Sequence, residues 1–264
     1  MKKIGIVFNS EIVNSVSVKE SLMTILDSKN VPVEVFDITE MQSGVDFVLV
    51  IGGDGTLIKA ARFYSDFGIP VLGINLGRLG FLSQVKDKDI ESAIEMILTN
   101  RFVVEDRLMI ESAGILALND IVIKGTSSAR TSRFYLNIND KFVCDYVADG
   151  LIISTPTGST AYGLSAGGPV LAPCLNSLVI VPICPHTLNA RPIVIPADEK
   201  ISVYSCDNCE MCVTADGVDS VLKKDIIEIK KSEKFAKLAL LDDNDFYSVI
   251  RNKLHWGVSP IEHK

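Results

Sequence analysis

The chain has 264 residues, of which 47% are hydrophobic, and its formal net charge is −7 at pH 7. Because it is acidic and has no Lys or Arg run longer than two, we expect no general binding to nucleic acid or to membrane surfaces. The first apolar stretch, IGIVF, is too short for a signal peptide, and no apolar run approaches the ~18 residues of a membrane-spanning helix. We therefore predict a cytoplasmic protein whose six cysteines are simple reduced thiols.

Strands and helices alternate over the first hundred residues. The apolar runs IGIVF, VEVFD, DFVLVIG and PVLGIN are typical of strands. The segments between or after them carry apolar residues at helical spacing. Two such stripes are Val18, Leu22, Ile25 and Leu26, and Ile90, Ile94, Ile97 and Leu98. This alternation predicts an α/β domain over residues 1–100 with a parallel, Rossmann-like sheet built from βαβ units.

The pattern changes after Asn100, where short β-rich runs, among them IIEIKK and KLALL as separate strands, follow one another at close spacing. The segment FYLNINDKFVCDY predicts a hairpin that turns at Asn139 and Asp140. Many short strands favour a β-sandwich-like domain over residues 101–240. The tail, residues 241–264, contains the helical pattern DFYSVIRNKLH and is predicted to return to the first domain.

A glycine-rich loop, Gly52-Gly53-Asp54-Gly55-Thr56, follows the strand-like run VLVI and precedes a helical pattern. It matches neither the P-loop GxxxxGK[ST] nor GxGxxG. One interpretation is a tight turn in which Asp54 or Thr56 caps the helix. The other is a phosphoryl-transfer site, in which Asp54 accepts a proton or holds Mg²⁺ and Lys59 pairs with phosphate.

Two further segments carry groups suited to sugars and phosphates. The segment Asp149–Val170, DGLIISTPTGSTAYGLSAGGPV, is dense in Gly, Ser and Thr. The pair Asn119-Asp120 precedes a β-branched run, and an adjacent amide and carboxylate offer a donor and an acceptor to ribose hydroxyls. Each segment also has a simpler explanation, a polar turn for the first and a polar strand entry for the second.

Two other motifs suggest different chemistry. Gly163 to Gly167 matches the hydrolase pattern GxSxG, which would need a strand before it and His186 or His255 as a partner. Cys206, Cys209 and Cys212 have metal-like CxxCxxC spacing but no fourth ligand nearby in sequence. Cys206 and Cys209 could also face each other across a hairpin turn, and plain strand thiols are the third possibility.

These motifs together resemble the NAD kinase family. GGDGT, the Asn-Asp pair, DGLIISTPTGSTAYGLSAGGPV, PICPHTLNARPIVIP and the late Ala-Asp-Gly at 215–217 occur in that family's order, over nearly the whole chain. The resemblance implies an α/β domain followed by a β-sandwich domain, with NAD bound between them in a homo-oligomer, a dimer or tetramer. It also implies phosphorylation of the adenosine ribose 2′-hydroxyl of NAD, with ATP or polyphosphate as donor and a divalent cation such as Mg²⁺.

The resemblance also implies roles for individual residues. Asp54 would be the catalytic proton acceptor, Gly55 would lie against the dinucleotide, and Lys59 would lie near phosphate. The donor phosphates would meet a loop made of Gly52, Gly53, Gly55 and Thr56. The remaining contacts to NAD would come from Asn119, Asp120, Arg130, Asp149, Thr160, Ala161, Tyr162, Gly163, Leu164 and Ser165.

Some features leave room for other functions. Val218 stands where the family frequently has Gln, and Val147 stands where some members carry Arg. GGDGT also occurs in lipid and sugar kinases, so such a kinase is one alternative. A non-catalytic NAD(P)-binding regulator is another.

Overall fold

The computed structural model describes residues 3–77, 80–86, 89–126, 131–205, 210–224, 226–241 and 246–256. The chain divides into two compact units, each with its own core. The first unit consists of Met1–Asp106 and Ala236–Lys264, and the second consists of Arg107–Phe235. No helix in the described part of the chain combines the length and the apolar character needed to cross a membrane.

The first unit starts with alternating strands and helices. They are β1 (Ile4–Phe8), α1 (Val13–Ser28), β2 (Val33–Asp37), β3 (Phe47–Ile51), α2 (Asp54–Ser65), β4 (Val71–Asn75), β5 (Val85–Lys86) and α3 (Ile90–Leu98). The strands pair in parallel in the order β2-β1-β3-β4-β5. Every residue of β3 and β4 is buried, as expected for strands covered on both faces. The predicted parallel α/β domain is confirmed.

Helices cover the two faces of this sheet. The predicted stripes of α1 and α3 pack with alternate strand residues such as Leu49 and Ile74 in one core. Helix α2 lies on the opposite face, where β4 has a glycine. A Cβ built on Gly73 would lie 2.8 Å from Cδ2 of Leu57, so this glycine allows the helix to approach the sheet closely. The glycine-rich loop therefore leads from the buried strand β3 into a helix packed on the sheet.

The second unit is a β-sandwich. Its strands are β6 (Phe102–Ser112, entering from the first unit), β7 (Ile115–Ala117), β8 (Asp120–Gly125), β9 (Ser132–Ile138), β10 (Lys141–Ala148), β11 (Gly150–Ser154), β12 (Ser177–Ile183), β13 (Ile193–Pro196), β14 (Ile201–Ser205), β15 (Met211–Ala215) and β16 (Asp219–Lys223). One sheet has the antiparallel order β13-β12-β11-β8-β15-β16. Its inner residues share a core with those of β9 and β14, for example Ile123 with Leu136 and Ile201.

The predicted hairpin of the second unit is confirmed. Strands β9 and β10 pair antiparallel on either side of Asn139 and Asp140. These two residues have φ values of +49° and +61°, and positive φ at both central positions is the signature of a type I′ hairpin turn. A 3₁₀ turn (Gly158–Thr160) and the short helix α4 (Tyr162–Ser165) lie between β11 and β12.

The last elements lead back to the first unit. The sequence runs IIEIKK and KLALL, expected as separate strands, form one 15-residue strand, β17 (Ile227–Leu241). It pairs with β14 through Ile227–Ile229 in the second unit and with Val71 of β4 through Leu238 in the first. Helix α5 (Phe246–Leu254) follows, as the tail pattern predicts, and belongs to the first unit.

Candidate active site

In the first unit, the glycine-rich loop is a tight turn from β3 into α2. A Cβ on Gly52 would lie 2.6 Å from Oγ1 and 2.7 Å from Cβ of Thr56, so only glycine fits there. The helix N-cap is Gly53, and no side chain makes a capping hydrogen bond there among the described residues. The interpretation in which Asp54 or Thr56 caps this helix is therefore wrong. Both side chains lie within the first turn of the helix instead.

The Asp54 carboxylate accepts four hydrogen bonds from the segment before β5. Its Oδ2 accepts one from the backbone N–H of Phe81 at 2.7 Å. Its Oδ1 accepts from the backbone N–H groups of Leu82 and Ser83, each at 3.2 Å, and from the Ser83 hydroxyl at 2.9 Å. An ionised carboxylate is a pure acceptor and satisfies all four donors, as it does in other backbone nests. Oδ2 retains acceptor capacity for a further partner.

Two nearby features complete this region. A Cβ on Gly80 would collide with the Asp54 carboxylate, so the backbone comes as close to the acid as a glycine permits. Gly55 and Lys59 are exposed and Thr56 is half-buried, along the first two turns of α2. An uncapped helix N-terminus presents free N–H groups, which suit a phosphate.

In the second unit, Asp216 organises the residues that lead into β8. Its Oδ2 accepts from the N–H of Leu118 at 2.9 Å, and its Oδ1 accepts from the N–H of Asn119 at 2.7 Å and of Asp120 at 3.2 Å. The N–H of Asp216 donates in return to the carbonyl oxygen of Asp120 at 3.0 Å. Asp216 follows the last residue of β15, which is paired with β8. The predicted Asn119-Asp120 pair is thus held by a side chain distant in sequence.

Asp120 is almost fully buried, with 4% of its surface exposed. Burial raises the pKa of this carboxyl from its ordinary value of 3.8 to about 7, and the negative charge of Asp216 adds to the rise. Near neutral pH a large share of Asp120 therefore carries a proton. A protonated carboxyl donates an O–H as well as accepting, so its hydrogen-bonding repertoire differs from that of Asp54.

The Thr-Pro-Thr-Gly segment packs against the same backbone. The Thr155 hydroxyl donates to the carbonyl oxygen of Leu118 at 2.6 Å, and the Thr155 N–H donates to that of Asn119 at 2.9 Å. A Cβ on Gly158 would collide with the Asn119 backbone and lie 2.6 Å from its Cα. The two segments that were singled out separately in the sequence therefore touch each other.

Part of this region lines a pocket of about 390 Å³. Four of its lining residues are among the predicted site residues: Asn119, Asp120, Ala161 and Tyr162. The other five are Val122, Lys124, Thr214, Asp216 and Gly217. Tyr162 is 39% exposed, and the ammonium of Lys124 lies 5.6 Å from the centroid of its ring. The volume lies in the lower part of the range for small-molecule sites, about 300–1,000 Å³.

The remaining predicted residues of this unit lie elsewhere. Thr160, Gly163, Leu164 and Ser165 belong to the same segment as Tyr162 but do not line this pocket. Asp149 is exposed and precedes Gly150, which pairs with Lys124 at the opposite end of β11 from Thr155. Arg130 lies outside the described residues.

The structure tests the first of the two competing motifs but not the second. The segment Gly163–Gly167 follows a 3₁₀ turn and not a strand, so it lacks the geometry of a nucleophile elbow. Cys206 and Cys209 lie outside the described residues, so neither the metal nor the disulfide hypothesis is tested. Cys212 is a half-buried free thiol on β15, 3.7 Å from the Thr214 hydroxyl. Over the described ranges, no three His, Cys, Asp or Glu side chains are grouped to hold a metal ion.

Two features of these sites were not predicted. The sequence analysis includes Asp216 only as part of the late Ala-Asp-Gly motif. The sequence feature that could have indicated its position is an Asp-Gly pair, typical of a turn, after a β-branched run. The contact of Ser83 with Asp54 spans 29 residues, and nothing in the local sequence indicates it.

Family models match both halves of the chain. A family model described as the ATP-NAD kinase N-terminal domain matches residues 9–102, and one described as the ATP-NAD kinase C-terminal domain matches residues 118–241. The chain is 41% identical to the NAD kinase of Teredinibacter turnerae over 247 residues, which cover 89% of this chain and 84% of that protein.

Solved structures show the same fold. A crystal structure of an NAD kinase from Archaeoglobus fulgidus in complex with ATP has a TM-score of 0.78 and 28% identity, covering 96% of this chain and 97% of that one. Yeast NADH kinase in complex with NADH has a TM-score of 0.85 and covers 100% and 90% of the two chains, at 22% identity. At that identity the yeast structure supports the fold alone.

The fold and these matches define a kinase that acts on a nucleotide. The chain belongs to the NAD kinase family, and it phosphorylates NAD to NADP. Because both halves of the chain match that family, the alternatives of a lipid or sugar kinase and of a non-catalytic regulator are not favoured.

Proposed function

We propose that Asp54 is the catalytic base of this kinase. In the proposed step, the adenosine ribose 2′-oxygen of NAD attacks the γ-phosphorus of ATP. The new O–P bond forms as the bond to the β–γ bridging oxygen breaks, ADP leaves, and the hydroxyl proton passes to Asp54. The observation that carries the proposal is the half-buried carboxylate in the first turn of α2, oriented by four donors with Oδ2 still able to accept.

The glycine-rich loop is proposed to hold the donor phosphates. Gly52, Gly53, Gly55 and Thr56 surround the uncapped start of α2, where backbone N–H groups and the helix dipole favour negative charge. Lys59 is exposed one turn further along and supplies a positive charge beside the phosphates. ATP is the proposed donor, and inorganic polyphosphate would offer the loop the same phosphoryl chemistry.

The pocket of the second unit is proposed to hold the dinucleotide. Asn119 and Asp120 lie together on its wall and are suited to ribose hydroxyls, while the half-exposed Tyr162 ring offers a face for stacking. Ala161 lines the pocket beside it. We propose that Arg130, Asp149, Thr160, Gly163, Leu164 and Ser165 make the remaining NAD contacts.

We propose that a divalent cation, Mg²⁺, enters with ATP. Mg²⁺ usually keeps several waters and binds one or two carboxylates together with substrate phosphates. The Asp54 carboxylate supports this arrangement, because it lies in the first turn of α2, beside the proposed phosphate loop. The cation would screen the charge on the phosphates during transfer.

The protein is also proposed to be a cytoplasmic homo-oligomer, a dimer or tetramer, with no nucleic-acid or membrane partner. Strand β10 is the outermost strand of its sheet, and its Phe142 and Val143 are 61% and 41% exposed. An outer strand with apolar side chains is a natural site for association. Light scattering coupled to size exclusion measures the mass, and a monomer at all concentrations would contradict the oligomer.

The reaction itself is tested by incubating the protein with NAD, ATP and Mg²⁺ and reading out the product with an NADP-specific dehydrogenase. We expect ATP-dependent formation of NADP. Replacing ATP by polyphosphate in the same assay identifies the donor, and replacing NAD by diacylglycerol or fructose 6-phosphate tests the alternative kinases. Nucleotide binding without consumption of ATP would indicate the non-catalytic regulator instead.

A further inference from the structure

Three successive backbone N–H groups, those of Leu118, Asn119 and Asp120, point at a single side chain, that of Asp216. These groups lie at the entry to β8, and a half-buried backbone donor without a partner costs free energy. A carboxylate supplies enough acceptor sites for all three donors. The return bond from the N–H of Asp216 to the carbonyl oxygen of Asp120 closes the arrangement from the other side.

The backbone conformation and position of Asp216 suit it to accept these three hydrogen bonds. Its φ is +50°, a region that Asp tolerates better than most residues and that Gly adopts freely. The residue sits at the turn between β15 and β16, and β15 is hydrogen-bonded to β8 through pairs such as Ala215 with Ile121. The sheet thus holds the carboxylate directly opposite the backbone that it binds.

We propose that Asp216 is a positioning residue for NAD: by holding the backbone of residues 118–120, it places the Asn119 and Asp120 side chains toward the ligand. This inference deepens the proposed function and rests on the assignment of the pocket to the dinucleotide. Asp216 itself acts through these neighbours, although it also lines the pocket.

The charge of Asp216 has a second effect on the same neighbour. It is the second cause, after burial, of the raised pKa of Asp120. Among the residues that the structure describes, Lys124 and Tyr162 are the other titratable side chains that line this pocket. Asp216 therefore influences both where Asp120 lies and how readily it holds a proton.

Two substitutions test the proposal. Asp216→Gly removes the carboxylate without straining the backbone, because glycine accepts a φ of +50°. Asp216→Asn keeps an oxygen that can accept from Asn119 and Asp120 but replaces the acceptor that faces Leu118. The matched control is Asp198→Asn, whose carboxylate accepts hydrogen bonds from Asn176 and Lys231 away from the pocket.

The measurements are KM for NAD, KM for ATP and kcat by the coupled dehydrogenase assay, the Kd for NAD by calorimetry, and the melting temperature. For Asp216→Gly we expect KM and Kd for NAD to rise about tenfold or more, with KM for ATP within about twofold. We expect Asp216→Asn to recover part of this loss. Asp198→Asn should leave all of these constants unchanged.

The proposal is overturned if Asp216→Gly leaves KM and Kd for NAD within twofold of the unsubstituted protein. It is also overturned if only the fraction of active protein falls, since a purely structural role would reduce that fraction without changing KM. If Asp216→Gly does not fold, the Kd of Asp216→Asn decides in the same way. Should the unsubstituted protein form no NADP, the proposed function fails, whereas calorimetry with NAD still tests Asp216.

Discussion

Asp54 in the first unit and Asp120 in the second are the same residue type in two opposite environments. Asp54 is half-buried and accepts four hydrogen bonds from the Phe81–Ser83 segment. Asp120 is buried, and burial together with the charge of Asp216 raises its pKa to about 7. The difference teaches that the surroundings of a carboxyl group decide what it can do. A half-buried acceptor held in place by four donors suits accepting a proton, and a buried, readily protonated acid suits hydrogen bonding to ligand hydroxyls.

The largest expected effect comes from Asp54→Asn, which tests the role assigned to the first carboxylate. The amide oxygen still accepts from the Ser83 groups, but the amide cannot take a proton. We expect kcat to fall by about 10²–10⁴, the usual range for a general base, while the Kd for NAD stays within about threefold. Asp66→Asn, at the other end of the same helix, is the control. A kcat within tenfold of the unsubstituted value would reject the assignment.

A second substitution tests whether the position of this carboxylate matters. In Gly80→Ala the added Cβ collides with the Asp54 carboxylate and must displace it. We expect kcat to fall about 10- to 100-fold, since small misplacements of a catalytic group are costly. Gly77→Ala is the matched control, because a Cβ there meets no atom of the described residues within 4 Å. Equal activity of the two variants would show that the placement of the carboxylate is unimportant.

The third prediction concerns the packing around Asn119 in the second unit. Gly158→Ala would force a Cβ into the Asn119 backbone, and overpacking of this kind costs about 1–3 kcal/mol of unfolding free energy. For comparison, a Cβ on Gly163 would lie 3.6 Å from the nearest atom, Cβ of Ser154, an ordinary contact. Chemical denaturation should therefore show a lower midpoint for Gly158→Ala than for the unsubstituted protein. The midpoint of Gly163→Ala should not be lowered in this way. Similar midpoints would refute the close contact.

The smallest effect concerns the proton on Asp120. The pKa of the Asp120 carboxyl is about 7 in the folded protein, above the ordinary value of 3.8. The protonated carboxyl therefore contributes fully to the free energy of unfolding below about pH 4, and this contribution is lost as the pH rises through about 7. Asp120→Asn removes that loss. The quantity to compare is the melting temperature of the variant minus that of the unsubstituted protein. We expect this difference to be larger at pH 8 than at pH 5 by about 3 °C or more. An equal difference at both pH values would contradict the raised pKa.

Much of the fold followed from local patterns in the sequence. The stripe containing Val18 and Leu22 predicted α1, and the Asn139-Asp140 pair predicted the hairpin of β9 and β10, because both signals depend only on neighbouring residues. The joining of the runs IIEIKK and KLALL into the single strand β17 could not be predicted from neighbouring residues. It depends on the partners of each half, Ile201–Val203 for one and Val71 for the other.

The candidate sites were predicted only in part. Motifs identified Asp54, Asn119 and Asp120, but not the groups that hold them, since Ser83 and Asp216 lie 29 and 96 residues away from the groups they bind. The proton state of Asp120 was also missed. It depends on burial and on a distant charge, neither of which a local pattern contains.

The most direct measurement is a crystal structure of this protein with NAD bound, in which the distance from the Asp54 carboxylate to the ribose 2′-oxygen is read. The account predicts that an Asp54 oxygen lies within hydrogen-bonding distance of that hydroxyl, about 2.6–3.2 Å. A well-ordered NAD whose 2′-oxygen lies many ångströms from Asp54 would contradict it.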